Sequence, residues 1–107
     1  MSGLAEAVMA RLAEQRDLVA AVDEQIKSMS VRVTSRDHNV RVRVDGYGAM
    51  TDLWLGPSAH RLGPSVLAAL IVETARVAEA LVTERCNYLA SELGARLAQL
   101  QQQKVSD

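Results

Sequence analysis

Hydrophobic spacing divides this chain into three stretches. Over residues 3–29 apolar side chains recur every three, four or seven positions: Val8, Leu12, Val19, Val22, Ile26 and Met29, with Gln15 filling the gap. Leu4 extends the series backwards and Leu18 widens it to one side, while Glu6, Arg11, Glu14, Asp17 and Glu24 take the opposite face. That spacing predicts an amphipathic helix. From residue 30 the period drops to two. Val31 and Val33 face one way and Arg32 and Thr34 the other, and the alternation returns in Val40, Val42 and Val44 and again in Thr51, Leu53 and Leu55. Strands are therefore expected over 30–35, 39–45 and 49–55, joined by the polar turn Arg36-Asp37-His38-Asn39 and the tight reversal Gly46-Tyr47-Gly48. Gly56-Pro57 ends the third strand.

A short loop over 58–63 leads to Pro64, which suits a first helical position after Gly63. The final helix is expected over 64–103, roughly 60 Å at the usual rise. Its seam begins with Leu67, Leu70, Ile71, Thr74, Val77, Ala78 and Leu81, and continues through Val82, Cys86, Leu89, Leu93, Leu97 and Leu100 in heptad-like steps. Gly94 is its weak point, where a bend is expected, and residues 101–107 are expected to fray. The chain thus reads as one α+β domain over 1–107, α-β-β-β-α, with a three-stranded antiparallel sheet between two long helices. Three short strands and one helix cannot cover the whole apolar stripe of the last helix. A second copy in a two-fold dimer is expected to cover the rest, with Trp54, Leu81, Leu89 and Leu93 at the interface.

Charge narrows the functional classes. Twelve Lys and Arg against thirteen Asp and Glu leave a formal net charge of -1, so the chain is not a globally basic nucleic-acid binder. Local clustering must supply any anion binding. The four arginines of residues 30–45, Arg32, Arg36, Arg41 and Arg43, stand against Asp37 and Asp45 alone, and two copies would double the excess. Parity puts Arg32, Arg41 and Arg43 on one face of the sheet, opposite the valines, with Arg36 at its edge. A guanidinium donates two hydrogen bonds at once from a planar fork, which suits phosphate. Each neutralised phosphate also releases counterions. The competing reading is a solvated or salt-bridged sheet face.

Trp54 shares the arginine side, where it can stack on an arginine or lie against a partner surface. On the long helix, Arg85 and Arg96 are further candidate DNA contacts among mixed charges. His60 and Arg61, just before that helix, are second-rank phosphate candidates.

Other chemistries find little support. The single Cys86 falls on the helix seam, without a second Cys or a His at i+4, so neither a disulfide nor a metal site is expected. Gly46-x-Gly48 joins strand to strand rather than strand to helix, so it is no phosphate loop, and no serine sits in a nucleophile elbow. No cofactor and no enzymatic activity are expected. The first residues lack a signal-peptide pattern, and the longest apolar run, residues 66–72, is too short to span a bilayer.

The pattern Val40-x-Val42-x-Val44-Asp45-Gly46, then Met50, Leu53 and Leu55, the turn Gly56-Pro57, and the opening Leu67-x-x-Leu70-Ile71-x-x-Thr74 resembles the YbaB/EbfC family of bacterial nucleoid-associated proteins. Leu62-Gly63-Pro64 and the Ala/Arg/Val-rich usage resemble its actinobacterial members. The resemblance implies a tweezer-like homodimer, cytoplasmic and nucleoid-bound, that holds DNA with low sequence specificity and uses neither cofactor nor catalysis. It also implies an alternative: some actinobacterial relatives are tied to specialised secretion, so the partner could be another protein, with the dimer acting as an adaptor or chaperone-like module.

Overall fold

The computed structural model describes residues 2–105, with side chains from residue 3 to residue 102. The chain forms α1 (Ser2–Lys27), β1 (Ser30–Thr34), β2 (Val40–Asp45), β3 (Met50–Leu55), a 3₁₀ turn (Ala59–Leu62) and α2 (Pro64–Val105). This is the α-β-β-β-α order read from the sequence, with strand boundaries a residue shorter and α2 running two residues further. α2 stays helical through Gly94. The contacts divide the chain into two compact units: Ile26–Cys86, and the residues up to Gln25 together with those from Asn87 onward.

In the first unit, the three strands form one antiparallel sheet in the order β1-β2-β3. Valines at every second position of β2 put Val40, Val42 and Val44 on one face, where all three are buried. Val31 from β1 and Ala78 and Val82 from α2 complete this core, with Leu67, Leu70, Ile71 and Cys86 packed around it. Each fully buried valine contributes about 1.5–3 kcal/mol. Thr74 is buried among them, and its hydroxyl donates to the Leu70 carbonyl at 2.7 Å, so no polar group is orphaned there.

The third strand departs from the sequence expectation twice. All six of its residues are exposed, including the inward-parity Leu53 (40%). The buried core draws on β1, β2 and α2 and on nothing from β3. The register also shifts: Arg43 faces Asp52 but Val44 faces Met50, leaving Thr51 without a partner. This bulge moves Met50 to the valine side and takes Thr51 out of the inward series to which it was assigned. The Thr51 hydroxyl instead donates to the Arg43 carbonyl at 3.3 Å.

The hairpin turn between β2 and β3 fits its sequence closely. Asp45 Oδ1 accepts from the backbone N–H groups of Tyr47 (2.9 Å) and Ala49 (3.0 Å). Gly48 adopts φ 82°, which glycine allows at little cost. Gly46 is pressed against the end of α1, where a Cβ would run into the Ile26 backbone carbonyl. The Cys86 thiol donates to the Gly46 carbonyl at 3.6 Å, so this half-buried thiol serves the packing of the turn.

In the second unit, the half-buried positions Gln15, Leu18 and Val22 of α1 and Leu89, Leu93, Leu97 and Leu100 of α2 mark the protected edges. Along this part of α2 the half-buried leucines follow the predicted spacing, whereas Val77 and Leu81 of the same predicted seam, in the sheet-bearing unit, are exposed. The α1 stripe is rotated: Val8, Leu12 and Val19 are exposed, the last two at 53% and 50%. A contact between two helices covers a narrow strip of each, and here it leaves Leu12, Val19 and Ala20 lining an open groove with Leu97.

Candidate nucleic-acid interface

The face of the sheet opposite the valines is built in cross-strand rows. Arg32 pairs with Arg43, and Arg43 in turn with Asp52. In the next row Thr34 pairs with Arg41, and Arg41 with Trp54. Directly opposed residues share a face with their Cβ atoms a few ångströms apart, so β-sheet geometry gathers three arginines onto one surface. Arg32 and Arg43 are exposed and Arg41 is half-buried. Among the described residues, no carboxylate forms an ion pair with any of them, or with Arg36. The row partner Asp52 turns one carboxylate oxygen to the Leu53 backbone N–H at 3.0 Å.

Arg41 is the exception in its surroundings. Its guanidinium carbon lies 4.9 Å from the centroid of the Trp54 ring, a cation–π contact. Its Nε is buried and has no hydrogen-bond partner. The parity of the sequence brought these two residues to one side; the pairing that makes them opposite neighbours depends on the register of β2 and β3, which spacing alone does not fix.

Arg36 sits in the β1–β2 turn, exposed, beside a compact hydrogen-bond network. Ser35 Oγ donates to Asp37 Oδ1 at 2.7 Å and accepts from Val40 N–H at 3.1 Å. Asn39 donates to Asp37 from both its backbone (3.1 Å) and its side chain (3.0 Å). These donors favour the ionised carboxylate, and the Ser35 hydroxyl leads in holding the Asp37 pKa below its ordinary value. His38 takes φ 62° at the turn's apex. Asp and Asn are turn formers by residue type, whereas the part Ser35 plays in bracing the turn depends on its hydrogen bonds to Asp37 and Val40 in the folded chain.

The other candidates are dispersed. Arg85 is exposed on α2 within the sheet-bearing unit, whereas Arg96 belongs to the other unit and lines a groove with Glu14, Asp17 and Leu18. His60 and Arg61 are exposed in the 3₁₀ turn. At the α2 start the Gly63 carbonyl accepts from Leu67 N–H at 3.0 Å, the first bond of the helix ladder. Of the expected dimer contacts, Trp54 (42%) and Leu81 are exposed, and Leu89 and Leu93 are half-buried. Among the described residues no cluster of His, Cys, Asp and Glu could hold a metal ion, and no helix is long and apolar enough to cross a membrane.

The sheet of this α+β chain thus buries valines on one face and carries Arg32, Arg41 and Arg43 on the other, without an ion pair to an acid among the described residues. The YbaB/EbfC DNA-binding family matches residues 1–97, and the chain belongs to that family, a family of nucleoid-associated DNA-binding proteins rather than of enzymes. No curated protein matches the chain.

Proposed function

We propose that this protein is a homodimeric, nucleoid-associated DNA-binding protein of low sequence specificity that grips phosphates through Arg32, Arg36, Arg41 and Arg43. The observation that carries the reading is the row geometry: Arg32, Arg41 and Arg43 share one open face with no ion pair to an acid among the described residues. Contacts to phosphate position a protein on the duplex without reading its sequence. No constellation of side chains on this face resembles a base-reading helix, so affinity is ascribed to charge and DNA shape. Arg85 and Arg96 supply secondary contacts. The protein resides with the nucleoid in the cytoplasm.

The dimer is ascribed to uncovered apolar surface. Leu53 and Leu55 of β3, together with Trp54 and Leu81, are large side chains left in water by a single copy, and Leu89 and Leu93 lie further along α2. Two-fold pairing removes such surface and doubles the cationic face. The test is duplex binding at low salt by the wild type and by the Arg41→Glu, Arg43→Glu variant. Loss of binding in a variant that still folds and dimerises supports the assignment; unchanged binding overturns it.

A second reading, an adaptor for another protein, draws on the net charge of -1 and the exposed apolar positions. It requires a stable protein complex that survives nuclease and the same charge reversal.

A further inference from the structure

Arg41 differs from its neighbours on the sheet face in being half-buried and seated on an aromatic ring. Its guanidinium lies on the Trp54 indole at 4.9 Å, and its Nε is enclosed without a partner. The indole is itself braced. It extends toward Gly56, where a Cβ would stand 3.4 Å from Trp54 Cη2 and 2.9 Å from the His38 carbonyl oxygen. Gly56 is buried, so bare backbone forms the bed on which the ring end rests. The ring edge thus approaches Gly56, and the ring face meets the guanidinium. Arg32 and Arg43 have no such support and are exposed.

We infer that Trp54 is a positioning residue for Arg41: it fixes the guanidinium plane and leaves the terminal Nη groups to form the phosphate contact. This rests on the phosphate-binding reading of the sheet face. The physical gain is preorganisation. A free arginine loses rotamer freedom when it binds, and an arginine already stacked on an indole loses less. The enclosed Nε has no hydrogen bond to hold it, so the ring contact is what fixes the side chain in place. Lysine would not substitute, because an ammonium lacks the plane that stacks on the ring and the fork that spans two phosphate oxygens. Arg41 is thereby set apart as the strongest contact of the face, with Arg32 and Arg43 acting as mobile charges around it.

The test is a double-mutant cycle on the full chain. Duplex affinity is measured by anisotropy for the wild type, Trp54→Phe, Trp54→Ala, Arg41→Ala and the Trp54→Ala, Arg41→Ala pair, with sedimentation on each to record the oligomeric state. Trp54→Ala is expected to weaken binding about three- to tenfold, the range of a cation–π contact, and Trp54→Phe to retain most of it. In the Arg41→Ala background, Trp54→Ala is expected to have no further effect. Trp54 is the only tryptophan, so emission changes arise at this residue, and the sedimentation record separates those caused by a change of oligomeric state. A change in that emission is expected to titrate with the same midpoint as anisotropy. Equal losses from Trp54→Ala with and without Arg41 would place Trp54 outside the arginine's action and overturn the inference, as would full affinity in Trp54→Ala. A wild type that binds no duplex overturns the underlying reading instead, so the two failures are distinct.

Discussion

Single residues carry constraints that their identity explains. Gly46 lies against the Ile26 backbone, and alanine there would drive a Cβ into that carbonyl. Gly46→Ala is expected to destabilise the protein by about 1–3 kcal/mol, as overpacking does, and chemical denaturation would measure it. Asp37 titrates the β1–β2 turn. Its pKa is depressed in the fold by the Ser35 hydroxyl and by Asn39, so its stabilising contribution is present above the unfolded aspartate value. That contribution is lost as pH falls through the lower folded value, beneath about pH 4. Asp37→Asn is expected to flatten the acid limb of the stability curve in that window and to leave stability near pH 7 slightly reduced. An acid limb identical to that of the wild type would count against this role. Asp52 belongs to the arginine face in the opposite sense, as a carboxylate in the row of Arg43 and Arg32. Removing its charge by Asp52→Asn is expected to tighten duplex binding at low salt, with the gain shrinking as salt rises.

Elements were legible where local chemistry decides them. The valine alternation of β2 fixed the buried face, Asp45 through Gly48 fixed the hairpin turn, and Gly63-Pro64 fixed the start of α2. Gly63 takes φ 81° and ψ 159°, a region open essentially to glycine alone. What escaped the sequence depended on partners distant along the chain. The bulge at Thr51 contains no glycine or proline to betray it, and it appears only when β3 is laid against β2. The α1 stripe is periodic enough to call for a helix, yet periodicity does not say which side of a wide stripe the neighbouring helix covers; Leu12 and Val19 fall outside it. The arginine face was legible through parity, whereas the stacking of Arg41 on Trp54 needed the register. Gly94 offers a test at this scale. It lies inside a continuous helix, and nothing is within 4 Å of where its Cβ would stand. Gly94→Ala is expected to stabilise the protein by about 0.5–1 kcal/mol through helix propensity, raising Tm.

At the scale of the whole molecule, net charge and function diverge. A chain of charge -1 can hold DNA only where cations locally outnumber acids, and the sheet gathers them by sending every second residue of β2 to one side, where Arg32, Arg41 and Arg43 face the single row acid Asp52. Apolar surface follows the same logic in reverse: β3 leaves Leu53 and Leu55 in water. Leu53→Asp with Leu55→Asp is expected to shift sedimentation toward the monomer while preserving the valine core, in which neither residue participates. Monomeric variants are expected to bind duplex DNA more weakly than the dimer, since half of the cationic surface is withdrawn.

The central claim, that sheet-face arginines neutralise phosphates, meets its most direct test in the salt dependence of duplex affinity for the wild type and for Arg32→Gln with Arg43→Gln. The logarithm of the binding constant falls with the logarithm of salt with a slope of about 0.9 per phosphate neutralised. The expected result is a steep wild-type slope that becomes shallower by roughly one for each arginine removed from each protomer. Equal slopes and equal affinities for the two proteins would contradict the claim and move the DNA contact away from the sheet.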